Sequence, residues 1–312
     1  MRILNGFDTP LPASEFSVVT LGAFDGIHRG HQELLSRIKT IAAERGGTGI
    51  LLTFEPHPQR VIAPGTALPL LSIREEKLAL LEEMGLDTLV ILPFNRQLSQ
   101  MEAEDFVSVV LVEALDVRFL VLGYDHTFGK GRRGRPELLR TMAPDLGFEV
   151  EVVDAVTDNG DAITSSLIRT VILDGDVQRA TRLLGRPYSV KGLVIRSDQR
   201  GRELGFPTAN ISMPNPEKCI PGKSVYAVQS IVGGSVYRGA CNIGTRPTFN
   251  DDQLMIEVHL LEFDKDIYGE SIEIRFFARI REERKFEGPG ALKKQIESDI
   301  IDAERILAQE GN

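Results

Sequence analysis

The chain is poor in several things, and each shortage removes a class of protein. Only two of its 312 residues are cysteine, Cys219 and Cys241. Neither stands in a metal-ligating or redox spacing, so both are expected to be reduced, buried thiols in a reducing compartment. No stretch approaches the ~18 consecutive apolar residues of a bilayer span. Met1 to Pro12 lacks a basic start followed by an apolar run, so a secretory signal is not expected and the expected location is cytoplasmic. Positive charge is also short: 36 Lys and Arg against 45 Asp and Glu leave a net −9. General affinity for nucleic acid needs a basic face and is not expected here. Internal repeats and low-complexity segments are missing too.

What is present is a globular composition, 42% hydrophobic and 26% charged, long enough for two domains of ordinary size. Apolar strands alternate with amphipathic helices up to about Gly185. Candidate strands are Val18–Leu21, Gly49–Phe54, Thr88–Leu92, Phe119–Leu122 and Phe148–Val153. Helices are expected over Gln32–Glu44, Arg74–Met84, Glu102–Ala114 and Pro136–Ala143. This rhythm predicts βαβ units and a Rossmann-like, mostly parallel sheet with ligands at the carboxyl ends of its strands. After Pro187 the texture changes to short strands joined by Gly, Pro, Asn and Asp: Ser189–Ile195, Val225–Val232, Val236–Ile243, Met255–Phe263 and Ser271–Ile280. A small antiparallel β-barrel follows, closed by one helix in which Leu292, Ile296, Ile300 and Ile306 recur at helical spacing. The expected domains are 1–186 and 187–312.

The first strand runs into Gly22-Ala23-Phe24-Asp25-Gly26-Ile27-His28-Arg29-Gly30-His31, and a helix begins there. Gly22, Gly26 and Gly30 allow a tight turn and close approach of a ligand. The helix start favours an anion, and His28 and His31, three apart, can face the same one. Read alone, the pair also fits a helix cap and a polar contact. Two further clusters suit the same ligand. Gly123-Tyr124-Asp125-His126-Thr127-Phe128-Gly129 follows a strand and leads into a basic glycine loop with Lys130, Arg132, Arg133 and Arg135. Ile163 to Arg169 puts Thr164, Ser165 and Ser166 before a helix. Those hydroxyls fit capping and phosphate binding equally.

In the second half, Gly201-Arg202-Glu203-Leu204-Gly205-Phe206-Pro207-Thr208-Ala209-Asn210 is the most specific string. Thr208 and Asn210 alternate along extended chain, so their oxygens share a side. Neutral oxygens suit a magnesium ion that already carries phosphates. A turn followed by an edge strand is the plainer reading. In Met255–Leu260, alternation sets Ile256, Val258 and Leu260 on one face and Glu257 and His259 on the other. Periodicity alone gives a solvent-facing Glu257.

These strings resemble, over essentially the whole length, the bifunctional prokaryotic riboflavin kinase/FAD synthetase family. The Gly22–His31 segment is similar to the GxFDGxHxGH motif of nucleotidyltransferases, Thr53–Pro58 to TFEPHP, Ile163–Arg169 to SSTxIR, and Gly201–Asn210 to GRxLGFPTAN. Leu184–Tyr188, Asn242–Phe249 and Arg281–Phe286 match further family segments. The departures are Ala23 for Asn, His126 for a common Phe, Ser166 for Thr, and Ser197 and Ser224 for Gly. The resemblance implies that riboflavin and ATP give FMN in the second domain, and that FMN and ATP give FAD and pyrophosphate in the first. It implies His28 and His31 as catalytic, with Gly22, Phe24, Gly26, Gly30, Ser165, Ser166 and Arg169 around the ATP phosphates. In the kinase it implies Glu257 as general base, Gly201, Thr208 and Asn210 on ATP, and the last two on Mg²⁺. Asp125, Phe128 and Arg281 are the expected flavin contacts.

Two other readings stay open on the sequence: a monofunctional riboflavin kinase with an inactive first domain, and a non-catalytic flavin or nucleotide sensor. Nucleic-acid modification by an HxGH enzyme fits the acidic balance badly. The expected partners are riboflavin, FMN, FAD and ATP, without nucleic acid or membrane. Self-association into a homo-oligomer is left open.

Overall fold

Alternate residues of the early strands are buried on opposite sides, which is what a parallel sheet covered by helices on both faces requires. The computed structural model describes residues 1–7, 16–196, 205–213, 215–247, 252–284 and 286–309. Strands β1 (Arg2–Asn5), β2 (Ser17–Leu21), β3 (Thr48–Glu55), β4 (Thr88–Pro93), β5 (Val117–Gly123) and β6 (Glu149–Val153) form one sheet in the order β1-β4-β3-β2-β5-β6. All of its pairings are parallel. Val19, Leu21, Ile50, Leu52, Leu120 and Leu122 feed the core on one side. Their neighbours Val18, Leu51, Leu89, Phe119 and Val121 feed the other.

Helix α1 (Arg29–Arg45) buries Leu34, Leu35, Ile38, Ile41 and Ala42 on the second face and ends at Gly46, whose φ of 64° is left-handed. Helix α2 (Arg74–Glu83) starts with Glu76 accepting the Ile73 N–H at 3.1 Å. Between β4 and β5 a short helix passes into π-helical turns, α3 (Phe106–Ala114), and α4 (Pro136–Leu146) has proline in its first turn. The strands and helices expected here are found within a few residues of their expected limits. Strand β1 was not expected from the sequence.

Two helices follow, α5 (Ser165–Leu173) and α6 (Val177–Leu184), and then a closed antiparallel barrel. Its strands are β7 (Tyr188–Ile195), β8 (Ala209–Ser212), β9 (Ser224–Val232), β10 (Ser235–Pro247), β11 (Asp252–Leu260) and β12 (Ser271–Glu282). They run in the order β8-β11-β10-β9-β12-β7, and β7 pairs with β8 to close the ring. Helix α7 (Pro289–Gln309) lays Ala303 and Leu307 against Ala227. Its most buried line is Asp299, Ala303 and Leu307, one step round from the expected stripe of Leu292, Ile296, Ile300 and Ile306. Ser224 sits in the strand β9, so its side chain carries no left-handed penalty. The chain divides into two compact units, Met1–Ser165 and Ser166–Asn312.

Candidate active sites

In the first unit the chain builds strands outward from β2 in one direction, through β3 and β4, and then returns to place β5 on its other side. Such a switch point opens a crevice at the carboxyl ends of the two strands. The loops found there are Gly22–His28 after β2 and Tyr124–Gly129 after β5.

The first loop is tightly knotted. Asp25, 2% exposed, accepts the backbone N–H of Leu71 at 3.1 Å and of Ser72 at 3.0 Å. Ser72 Oγ in turn accepts the N–H of Gly26 at 2.9 Å. Gly26 has φ +80°, and a Cβ there would lie 2.9 Å from Leu71 side-chain carbons. Phe24 and Ile27 are held at φ 47° and 40°, values rare for such residues. Strain of this kind persists only where surrounding contacts over-determine it. The carbonyl of Ala23 accepts Thr53 Oγ1 at 3.2 Å and Lys77 Nζ at 2.7 Å. Ser165 Oγ donates to Asp25 O at 3.0 Å, and Ser166 and Arg169 follow on the helix that Ser165 opens.

His28 is the N-cap of α1: its Nδ1 accepts the His31 N–H at 3.4 Å. With Nδ1 accepting, the proton of a neutral His28 sits on Nε2. The two rings stack with centroids 3.7 Å apart, and His31 stacks on Phe24 at 4.4 Å. A Cβ on Gly30 would meet the His28 ring at 3.2 Å, so only glycine lets that ring lie there. Burial holds the His31 pKa well below its ordinary value, helped by the charges of His28, Lys77 and His126. Burial also lowers the pKa of Lys77, partly opposed by Asp25. The cap reading of the histidine pair holds for His28, whose Nδ1 caps the helix while the His31 ring stacks on its own ring.

The remaining residues expected in this site divide. Asp125 is exposed. Phe128 is 8% exposed and packs in the core against Phe106, with Gly134 pressed on its ring. The basic loop is answered locally: Lys130 pairs with Glu102 at 2.7 Å, Arg133 reaches Glu102 at 3.9 Å, and Arg132 Nε donates to Thr127 Oγ1 at 2.9 Å. Lys77 was missed by sequence reasoning, since in Arg74–Glu83 it reads as one more surface charge.

The barrel site is built on strand register. Asn210 of β8 stands opposite Glu257 of β11, and Glu257 stands opposite Asn242 of β10. Asn242 pairs with Val225 of β9, and Val225 with Arg281 of β12. Asn210, Glu257, Asn242, Val225 and Arg281 thus form one row across five strands. Directly opposed residues lie about 4.5–5.5 Å apart with side chains on the same side. Thr208, two residues before Asn210, continues its side of the chain. The segment is fixed by His259, whose Nδ1 is 2.8 Å from Pro207 O and whose ring meets Phe206 edge-on at 5.7 Å. The carboxylate of Glu257 also pushes up the pKa of buried Cys241, behind burial as the main cause.

Arg281 does not project freely from this row. Its guanidinium forks onto Asp299 of α7 at 2.8–3.1 Å, and Asp299 also accepts Gln295 Nε2 at 2.7 Å. Phe286 lies 5.5 Å from the Arg281 guanidinium. Asn242 and Asp299 were not singled out from sequence, although Asn242 opens a string that was. Gly201, Ser197, Thr248 and Phe249 lie outside the described residues.

Comparison with known proteins adds the decisive observation. The FAD synthetase family model matches residues 12–167 and the riboflavin kinase model matches 184–307. A Bacillus subtilis bifunctional riboflavin kinase/FMN adenylyltransferase is 40% identical, covering 94% of this chain and 93% of that protein. This chain belongs to the bifunctional riboflavin kinase/FMN adenylyltransferase family. The Escherichia coli protein of the same name is 36% identical over 98% of each chain. A Streptococcus pneumoniae crystal structure superposes with TM-score 0.88 and 31% identity over 96% of this chain and 97% of that one. That structure is named a macrolide-efflux protein. Among the described residues here, no helix is long and apolar enough to cross a membrane.

Proposed function

We infer that this enzyme makes both flavin cofactors in succession: riboflavin and ATP give FMN and ADP, then FMN and a second ATP give FAD and pyrophosphate. What supports it is that each unit carries its own cluster of polar groups, a stacked imidazole pair at a helix start in one and, in the other, a carboxylate in strand register with neutral oxygens.

In the barrel, Glu257 takes the proton of the riboflavin 5′-hydroxyl, and the freed oxygen attacks the γ-phosphate of ATP as ADP leaves. A positioned base of this kind is worth about 10²–10⁴ in rate. Thr208 and Asn210 offer oxygens beside Glu257, and among the described residues no cluster of three or more His, Cys, Asp or Glu could form a resident metal cage. That donor set fits a magnesium ion delivered with ATP, where it neutralises phosphate charge. Arg281, held by Asp299, presents its aliphatic stem and Phe286 to the flavin rather than a free charge.

In the first unit an FMN phosphate oxygen attacks the α-phosphate of ATP in line. His28 Nε2–H and the neutral His31 ring stabilise charge that builds on the transferring and leaving phosphates. The work is positioning and electrostatics. Ser165 takes the triphosphate, with Gly22, Phe24, Gly26 and Gly30 shaping its bed. Asp125 and Phe128 bound the flavin side, Phe128 as a rigid wall. Cys219 and Cys241 are buried free thiols, which suits a cytoplasmic enzyme.

One incubation tests the whole reading. Riboflavin, ATP and magnesium are supplied, and products are resolved by chromatography; FMN should rise first and FAD after it. FMN accumulating without FAD would leave only the kinase. Tight flavin binding with no product would make the protein a sensor.

A further inference from the structure

The loop after β5 carries an imidazole that none of the roles above uses. His126 follows the turn closed by its own N–H on Gly123 O at 3.1 Å. Strands β5 and β2 are direct neighbours, so this loop stands beside the Gly22 loop. The His126 Cε1 lies 4.0 Å from the position a Cβ on Gly22 would take. The ring bears electrostatically on His31.

Two polar atoms in this group stand out. His126 Nε2 and His31 Nδ1 are both buried, and neither has a hydrogen-bond partner among the described residues. A buried nitrogen without a partner is destabilising, and a benzene ring would fill the same space without that cost. Two such nitrogens flanking one glycine bend at a topological switch point share an explanation: both are donors for a ligand oxygen. Burial lowers the His126 pKa to about 4, so the ring is neutral at pH 7 and brings one N–H rather than a full charge. Neutral donors grouped beside a helix N-terminus suit a phosphate oxygen.

We propose that His126 is a phosphate-binding residue of the adenylyl-transfer site, its Nε2–H donated to the anion that His31 also faces. This rests on the adenylyl-transfer reading for the identity of the anion, which belongs either to the phosphates leaving ATP or to FMN. Phosphate binding itself does not need that reading.

The test uses the full chain with His126→Phe, which keeps the ring's bulk, and His126→Gln, which keeps a donor. Calorimetric titration with magnesium pyrophosphate and, separately, with FMN is paired with KM and kcat for FAD formation. Riboflavin phosphorylation by the same preparations reports folding. The phenylalanine variant should lose about ten- to a hundredfold in affinity for one of the two probes, the size of a hydrogen bond to a charged group. The glutamine variant should regain part of it, and kinase rates should stay unchanged. Loss against pyrophosphate assigns the contact to ATP, and loss against FMN assigns it to the flavin phosphate. Wild-type affinities and wild-type kinetics in the phenylalanine variant would overturn the proposal. If the wild-type chain made no FAD while His126→Phe still weakened pyrophosphate, adenylyl transfer would fail and His126 would stand. Should the phenylalanine variant also lose kinase activity, the glutamine variant decides by the same two titrations.

Discussion

The two units solve the same problem, holding ATP beside a flavin, with opposite building methods. In the parallel-sheet unit the groups proposed to react sit on a loop or at a helix start. Its geometry depends on buried knots such as Asp25 with Leu71 and Ser72. In the barrel the groups sit on regular strands, and hydrogen-bond register alone sets Asn210, Glu257 and Asn242 side by side. The chemistry differs in step. On the proposed roles, the first unit works with imidazoles, that of His31 held neutral by burial, and the second with the carboxylate of Glu257 on the polar side of its strand. A loop site can change one residue at a time, whereas a register site moves only if a strand slips and takes every neighbour with it.

The comparison breaks most cleanly at Glu257. Glu257→Gln keeps the shape and the register but removes the base, so riboflavin phosphorylation should fall about 10²–10⁴-fold. FAD formation from supplied FMN should continue at the wild-type rate. Near-normal phosphorylation would remove Glu257 from the mechanism. The reciprocal change is His31→Asn, expected to lower FAD formation about 10²–10³-fold while FMN formation from riboflavin stays intact. If both activities fell together, the idea of two separately built sites would be wrong.

A third change sharpens what holds the barrel's row in place. Asp299 is 3% exposed and receives the fork of Arg281. Asp299→Ala leaves a guanidinium facing α7 without its partner, and breaking a buried pair costs about 3–5 kcal/mol. Urea titration followed by hydrogen exchange should place that loss in peptides of β12 and α7, with peptides of β2 and α1 unaffected. A loss below about 1 kcal/mol would mean that Arg281 is free to serve the flavin directly.

These contrasts also explain what could be read in advance. Strands Val18–Leu21 and Gly49–Phe54 were legible because buried parallel strands are continuous apolar runs. The barrel strands were legible because Ile256, Val258 and Leu260 alternate with polar residues. Alternation placed Glu257 on the polar face, yet could not say which strands flank it, so the row through Asn242 to Arg281 was invisible. Lys77 was hidden for a similar reason: helical spacing records a charge but not that the Ala23 carbonyl awaits it. Strand β1 has four residues and no helix before it, too little pattern to register. The helix stripe in α7 was misplaced by one step because Asp299, a charge, occupies the most buried line, and only its partner Arg281 makes that affordable.

The mildest effect separates the units by acid alone. In the first unit His126 titrates near 4 when folded against an ordinary value of 6.5, and His31 is lowered in the same direction, both chiefly by burial. Between those values the unfolded chain binds the proton and the folded chain does not, so stability rises with pH across the window and is lost as pH falls from about 6.5 towards 4. For His126 a shift of this size is worth roughly 3 kcal/mol. The barrel unit has a single histidine, His259, bonded at the surface to Pro207 O. Hydrogen exchange at pH 7, 5.5 and 4.5 should therefore loosen peptides of β2, α1 and β5 before those of the barrel. The His126→Phe chain should need a lower pH to show the same loosening. Equal loosening of both units would mean that the imidazole cluster is hydrated rather than buried, and the neutral-donor chemistry of the first site would have to be given up.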